Sequence, residues 1–88
     1  MSDTHVTVLY FAWLRERVGN GEERIELPAG VRTVGALIEH LIARDPAHAA
    51  AFENRLAVRC AVNQDFAGPG AAVAPGDEIA FFPPVTGG

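Results

Sequence analysis

A chain of 88 residues, 49% of them apolar, has material for one domain and one core, but not also for an enzyme-sized cavity of about 300–1,000 Å³. Its net charge of −4 and isoelectric point near 5.2 exclude the basic face of a nucleic-acid binder, and its seven arginines are scattered, with no lysine at all. Cys60 is the single cysteine, which rules out an intrachain disulfide and a cysteine metal site, and no run approaches the roughly 20 apolar residues of a membrane span. The short polar start, without an apolar export segment, makes the cytoplasm the expected compartment.

Residues 6–11 are apolar, β-branched and aromatic, and read as a strand. Val6, Val8 and Tyr10 share one face, and Thr7, Leu9 and Phe11 the other. Residues 13–18 predict a short helical turn closed by Gly19-Asn20-Gly21. Residues 23–27 alternate charged and apolar side chains and read as the return arm of a hairpin-like unit.

The clearest helix is predicted over about 34–44. Thr33 is its expected N-cap, and Val34, Leu37, Ile38, Leu41 and Ile42 form one apolar stripe at helical period. Gly35 is out of place in a helix, at up to about 1 kcal/mol relative to Ala, and suggests close packing. Residues 47–53 are alanine-rich and suit a second short helix.

Leu56, Val58, Cys60 and Val62 alternate with Ala57, Arg59 and Ala61, as in a half-buried strand. Asn63-Gln64-Asp65 and Gly68-Pro69-Gly70 mark turns, and residues 72–74 offer a short edge piece. Residues 78–82 form the last strand, with Ile79 and Phe81 on one face and Ala80 and Phe82 on the other. Pro83-Pro84 ends pairing because neither can donate to a ladder. The expected division is a folded body over 1–82 and an extended arm over 83–88.

One good helix cannot cover both faces of a sheet. The stripe is expected to pack on Val8, Tyr10, Ile79 and Phe81, leaving Phe11 and Phe82 on the opposite face with Phe66 nearby from a turn. Contiguous apolar surface of that kind marks a partner site.

The chain finishes on Val85-Thr86-Gly87-Gly88. Glycine accepts backbone angles closed to other residues, so such an end can thread a narrow channel. The arm from Pro83 to Gly88 could span up to about 20 Å. A carboxylate must be activated before it acts as an acyl donor, and no nucleophile–base–orienter set stands elsewhere in the chain, so activation would come from a partner. On the dipeptide alone, a frayed end is an equal reading.

Leu9-Tyr10-Phe11-Ala12, Leu14-Arg15-Glu16, Ala61-Val62-Asn63-Gln64 and above all Gly76-Asp77-Glu78-Ile79-Ala80-Phe81-Phe82-Pro83-Pro84-Val85-Thr86-Gly87-Gly88 resemble the small subunit of bacterial molybdopterin synthase, over nearly the whole chain. The resemblance implies an α+β, ubiquitin-like β-grasp fold: a mixed sheet of four to five strands on one main helix. It also implies a mechanism. An E1-like adenylyltransferase uses ATP to adenylate Gly88, and a sulfur donor system converts the adenylate to a thiocarboxylate. The arm then enters the large, catalytic synthase subunit, within a heterotetramer, and delivers sulfur to cyclic pyranopterin monophosphate. The carrier itself would bind no cofactor, metal, nucleic acid or membrane and would not be an enzyme on its own. By position, Phe11, Phe66 and Phe82 match the family's apolar docking surface, with Pro84, Val85, Thr86 and Gly87 leading to Gly88. The Met1-to-His5 extension, Trp13 and residues 47–51 carry no family signature.

Cys60 falls with the core residues of its strand and reads as a small hydrophobe rather than a sulfur relay. His5, His40 and His48 lack metal-ligand spacing and are expected at the surface. The missing lysines have two readings: a coding bias toward arginine, or protection of an activated carboxyl end from amines of its own kind. Two related activities and one inert role compete with the main expectation: a carrier for thiamin or another sulfurated product, a ubiquitin-like protein modifier, and a binding module with an idle arm.

Overall fold

The alternation read in residues 6–11 becomes strand β1, His5–Tyr10, with Val6, Val8 and Tyr10 buried. The structure, a computed structural model, describes residues 4–84. Helix α1, Trp13–Val18, follows and ends on Gly19, whose φ of 92° needs no Cβ penalty. Strand β2, Glu22–Glu26, returns antiparallel to β1 and buries Ile25 against the core. Leu27 packs from just beyond the strand.

Helix α2, Val34–Ile42, forms where the stripe predicts it. The Thr33 hydroxyl accepts from the Ala36 N–H at 3.2 Å, satisfying one orphan donor of the first turn. The helix stops two residues short of the expected 44, with Ala43 as its C-cap. The suspicion about Gly35 is answered directly. Its N–H donates to the Pro69 carbonyl at 2.8 Å, and a Cβ there would lie 3.2 Å from that oxygen. Helix α3, Pro46–Ala51, starts under an Asp45 cap that accepts from the His48 N–H at 2.9 Å, with proline in the first turn.

Two expectations fail in the segment that follows. Residues 55–57 form a 3₁₀ turn, closed by Ala57 and Val58 N–H bonds to the Asn54 and Arg55 carbonyls. The strand parity assigned to Leu56 therefore does not apply, and this side chain is 85% exposed. Strand β3 is only Arg59–Val62. Next, Asn63 and Gln64 both take positive φ, 51° and 72°, and close a two-residue hairpin with Val62 opposite Asp65. So Asp65–Ala67 is strand β4, carrying the Phe66 that the sequence places in a turn. The edge piece expected at 72–74 is instead a single bridge from Ala72 to Thr33.

Strand β5, Glu78–Phe82, runs parallel to β1 and antiparallel to β3, in a mixed sheet of order β2-β1-β5-β3-β4. Val6, Val8, Tyr10, Ile79 and Phe81 join Leu14, Val18, Leu37, Leu41 and Phe52 in one core, so the helices share one side of the sheet. Phe81 is its centre: Phe52 meets it edge-on at 4.9 Å and Tyr10 stacks at 6.1 Å. This is the mixed, five-stranded α+β arrangement of a β-grasp fold, within the four to five strands expected. Among the described residues, no helix is long and apolar enough to cross a membrane.

Candidate functional site

Strand register fixes what lies on the sheet face away from the helices. Leu9 pairs with Glu22 and with Ala80, Ala80 with Ala61, and Ala61 with Phe66. One cross-strand row therefore reads Glu22, Leu9, Ala80, Ala61, Phe66. Beside it lies a second row. The Phe11 N–H extends the β1–β5 ladder by donating to the Phe81 carbonyl at 3.1 Å, and Phe82 stands opposite Arg59. None of Leu9, Phe11, Ala61, Phe66, Ala80 or Phe82 belongs to the core cluster.

The two alanines leave a low floor, and the aromatics rise around it. Phe66 is 86% exposed and Phe11 49% exposed, while Phe82 is half-buried with its ring 5.9 Å from that of Phe66. The face thus gathers the three expected docking aromatics on one surface. Burying such apolar area stabilises an interface by about 25 cal/mol per Å². Charge borders it on the β2 side, where Glu22, Arg24 and Glu26 are exposed.

Ala12 follows Phe11 with φ 55° and ψ −132°, a region that a residue with a Cβ rarely occupies. The strained residue turns the chain from β1 into α1 at the spot where Phe11 stands.

At the end of β5 the chain leaves through Pro83 and Pro84, both half-buried. Arg59 flanks this exit, its guanidinium donating to the Leu56 carbonyl at 2.9 Å and the Val58 carbonyl at 3.4 Å. Val85, Thr86, Gly87 and Gly88 lie outside the described residues.

On the other side of β3, an apolar groove of about 460 Å³ runs between α2 and the β3–β4 hairpin, past Val34, Ile38, Leu56, Val58 and Pro69. Cys60 forms part of its wall. Its thiol donates to the Ala67 carbonyl at 3.5 Å, and burial pushes its pKa up. A protonated thiol is a poor nucleophile, which fits the reading of Cys60 as packing. Among the described residues, no three His, Cys, Asp or Glu side chains are placed to hold a metal ion.

The expectation that His48 lies at the surface is wrong. Its side chain is buried, with the whole residue 3% exposed. Nδ1 stands 2.8 Å from Asp45 Oδ1, and Nε2 stands 2.8 Å from Glu23 Oε2. The Tyr10 hydroxyl donates to the same Glu23 oxygen at 2.9 Å. Burial opposes charge on His48, but the hydrogen bonds and attraction from Glu23 and Asp45 outweigh it and raise its pKa. Asp45 is held low, first by the His48 backbone N–H and then by its ring. Burial, then the Glu23 charge, push the Tyr10 phenol far up, so it stays a donor. The network ties α3 to β1 and β2. Asp45-x-x-His48 was a visible capping spacing. Glu23 lies 25 residues away, and no local pattern points to it.

Comparison with known proteins places the chain among relatives. A model of the ThiS family matches residues 8–88. A curated relative from Escherichia coli, named molybdopterin synthase sulfur carrier subunit, is 42% identical and aligns over 94% of this chain and 99% of its own length. A relative of the same name from Haemophilus influenzae is 44% identical, again covering 94% of this chain and 99% of itself. Among solved structures, the small archaeal modifier protein SAMP1 from Haloferax volcanii superposes with a TM-score of 0.73 at 33% identity, over 96% of this chain and 99% of that one.

Proposed function

The chain belongs to the ThiS family, and on that premise we propose that it is a sulfur carrier of molybdenum cofactor biosynthesis, the small subunit of a molybdopterin synthase. The observation that carries the reading is the apolar sheet face of Phe11, Phe66 and Phe82, opposite the core cluster, with β5, the last strand among the described residues, ending at its margin. A body over 1–82 serves as the handle, and residues 83–88 serve as the working arm.

The work is divided among partners. An E1-like adenylyltransferase spends ATP on the Gly88 carboxylate, so ATP is the partner's ligand and the carrier holds no cofactor. The acyl-adenylate is open to sulfide-level sulfur (HS⁻) released by the donor system; a C–S bond forms, the C–O bond to AMP breaks, the thiol proton passes to solvent, and a thiocarboxylate results. The face of Phe11, Phe66 and Phe82 then docks on the catalytic subunit, in a heterotetramer. Pro84, Val85 and Thr86 lead the arm inward, and Gly87 and Gly88 enter the reaction site, where the thiocarboxylate gives its sulfur to cyclic pyranopterin monophosphate. Glycine suits both stages, because it passes a narrow channel and leaves the carbonyl unhindered. The chain supplies no catalytic group beyond its own end, and the cytoplasm, where nucleotide and thiol chemistry are at hand, is its setting.

The name of the archaeal modifier protein favours one second reading, in which the same activated end acylates lysines of other proteins. Intact-mass analysis of the chain isolated from cells making the cofactor separates the two. An oxygen-to-sulfur mass gain at the carboxyl end supports the carrier, and adducts on other proteins in its place support the modifier. Deleting Gly88 should abolish cofactor formation while leaving the unfolding transition where it was. A Gly88-deleted chain that still supports dithiolene formation overturns the proposal.

A further inference from the structure

The turn between β3 and β4 is tied to the start of β5 by one side chain. Strand β3 pairs with β5 as far as Val62 opposite Ile79. One step further, the Asn63 N–H donates to the Glu78 carbonyl at 2.8 Å, and the Glu78 N–H donates back to Asn63 Oδ1 at 3.0 Å. The side chain supplies the acceptor for one more rung of the ladder, while its own backbone, at φ 51°, has already turned into the hairpin. The other half of the amide, Nδ2, donates to Asp77 Oδ1 at 3.0 Å, and Asp77 Oδ2 accepts from the Ala74 N–H at 2.9 Å. The Asp77 carbonyl accepts from the Thr7 N–H at 3.0 Å, so these contacts reach β1.

What they hold is Phe66. Strand β4 is a three-residue edge strand that pairs only with β3 among the described residues, and Phe66 is its middle residue. The far end of the hairpin is fixed to α2, where the Gly35 N–H meets the Pro69 carbonyl. At the turn end the fixing contacts are those of Asn63. With both ends held, the Phe66 ring stands 5.9 Å from that of Phe82 although the residue is 86% exposed. An exposed ring on an unpinned edge would have to be ordered at the moment of binding, which weakens association.

We propose that Asn63, acting through Glu78 and Asp77, is a positioning residue of the outer face: it sets the β3–β4 hairpin so that Phe66 stands beside Phe82 before a partner arrives. This rests on the reading of Phe66 as a docking residue, and deepens it.

The test compares the full parent chain with Asn63→Gly, Asn63→Asp, Asp77→Asn and the double variant Asn63→Asp/Asp77→Asn. Glycine accepts the positive φ, so Asn63→Gly removes the amide without straining the turn. Asn63→Asp sets two carboxylates against each other, and Asp77→Asn sets two donors against each other. The double variant exchanges donor and acceptor and restores every bond. Nuclear Overhauser contacts between the Phe66 and Phe82 rings are read in the free chain, and affinity for the catalytic subunit is read by titration calorimetry. Both are measured at a temperature where urea unfolding shows each variant to be fully folded, so that a loss of stability alone moves neither. Asn63→Gly and the two single exchanges should weaken the ring contact and lower affinity about two- to tenfold. The double variant should recover both. The proposal is overturned if Asn63→Gly keeps the ring contact, or if the double variant does not regain it. It is also overturned if the contact is lost and affinity holds while Phe66→Ala weakens binding. Phe66→Ala binding like the parent would instead overturn the docking reading itself, and the proposal with it.

Discussion

The two faces of the sheet are built from alternate residues of the same strands, yet only one of them holds the molecule together. Inward, Val8, Tyr10, Ile79 and Phe81 meet α1, α2 and α3 and are fully buried. Outward, Leu9, Phe11, Ala80 and Phe82 are comparably apolar and stay outside the core cluster, with Arg15 of α1 beside Leu9 and Phe11 at the edge. Hydrophobicity alone therefore does not distinguish core from interface in this chain. What distinguishes them is which face the helices bury, and the proposed docking role falls to the apolar face they leave exposed.

The sharpest way to break this contrast uses neighbouring residues. Phe81→Ala should cost about 3–5 kcal/mol of unfolding free energy, since the ring is fully buried against Phe52 and Tyr10. Phe82→Ala should cost only about 1 kcal/mol of stability but weaken association with the catalytic subunit by tenfold or more. Urea unfolding and titration calorimetry measure the two effects. Equal unfolding penalties would show that the faces are not divided as described.

The inner side holds a second, polar fastening. His48→Gln should destabilise by about 2 kcal/mol, because a glutamine cannot donate at once to Glu23 and Asp45 in the same geometry. The pH dependence sharpens the assignment. His48 has a raised pKa in the folded state, so its contribution is complete below the unfolded value near 6.5 and is lost as pH rises through the folded value. Asp45 has a lowered pKa, so its contribution is present above about 3.9 and lost as pH falls through the folded value. The stability gap between parent and His48→Gln, measured by denaturant titration, should be widest between roughly pH 4 and 6.5 and should narrow above. A gap that widens in alkali would mean a neutral imidazole and a wrong account of the network.

The smallest expected effect lies where the outer face meets α1. Ala12→Gly should raise the melting midpoint slightly, by about 0.5–1 kcal/mol in stability, because glycine occupies φ 55° without strain. A loss of stability instead would show that the Ala12 methyl has a packing role.

Local patterns carried much of this architecture. The period-two parity of β1 and β5 sorted Tyr10 and Phe81 from Phe11 and Phe82, and the 34–42 stripe with its Thr33 cap located α2, because both depend on neighbours within a turn or a pleat. Where a hydrogen-bonded turn interrupted the pleat, as at 55–57, the parity failed and Leu56 was misplaced. The strand bearing Phe66 was hidden by its turn-forming neighbours, since three residues are too few to show a period.

The sequence by itself determined the two-faced strands β1 and β5, the helix α2 with its Thr33 cap and the Gly-Gly end, all of them written in residues close together along the chain. Only the tertiary structure decided that His48 is buried between Glu23 and Asp45, that Phe66 joins Phe82 across β3, and that Arg59 stands at the root of the arm. Apart from the local His48–Asp45 contact, those relations join residues 16 to 25 positions apart, and the free energy that selects them comes from closing the core, which no local segment feels before the chain has folded.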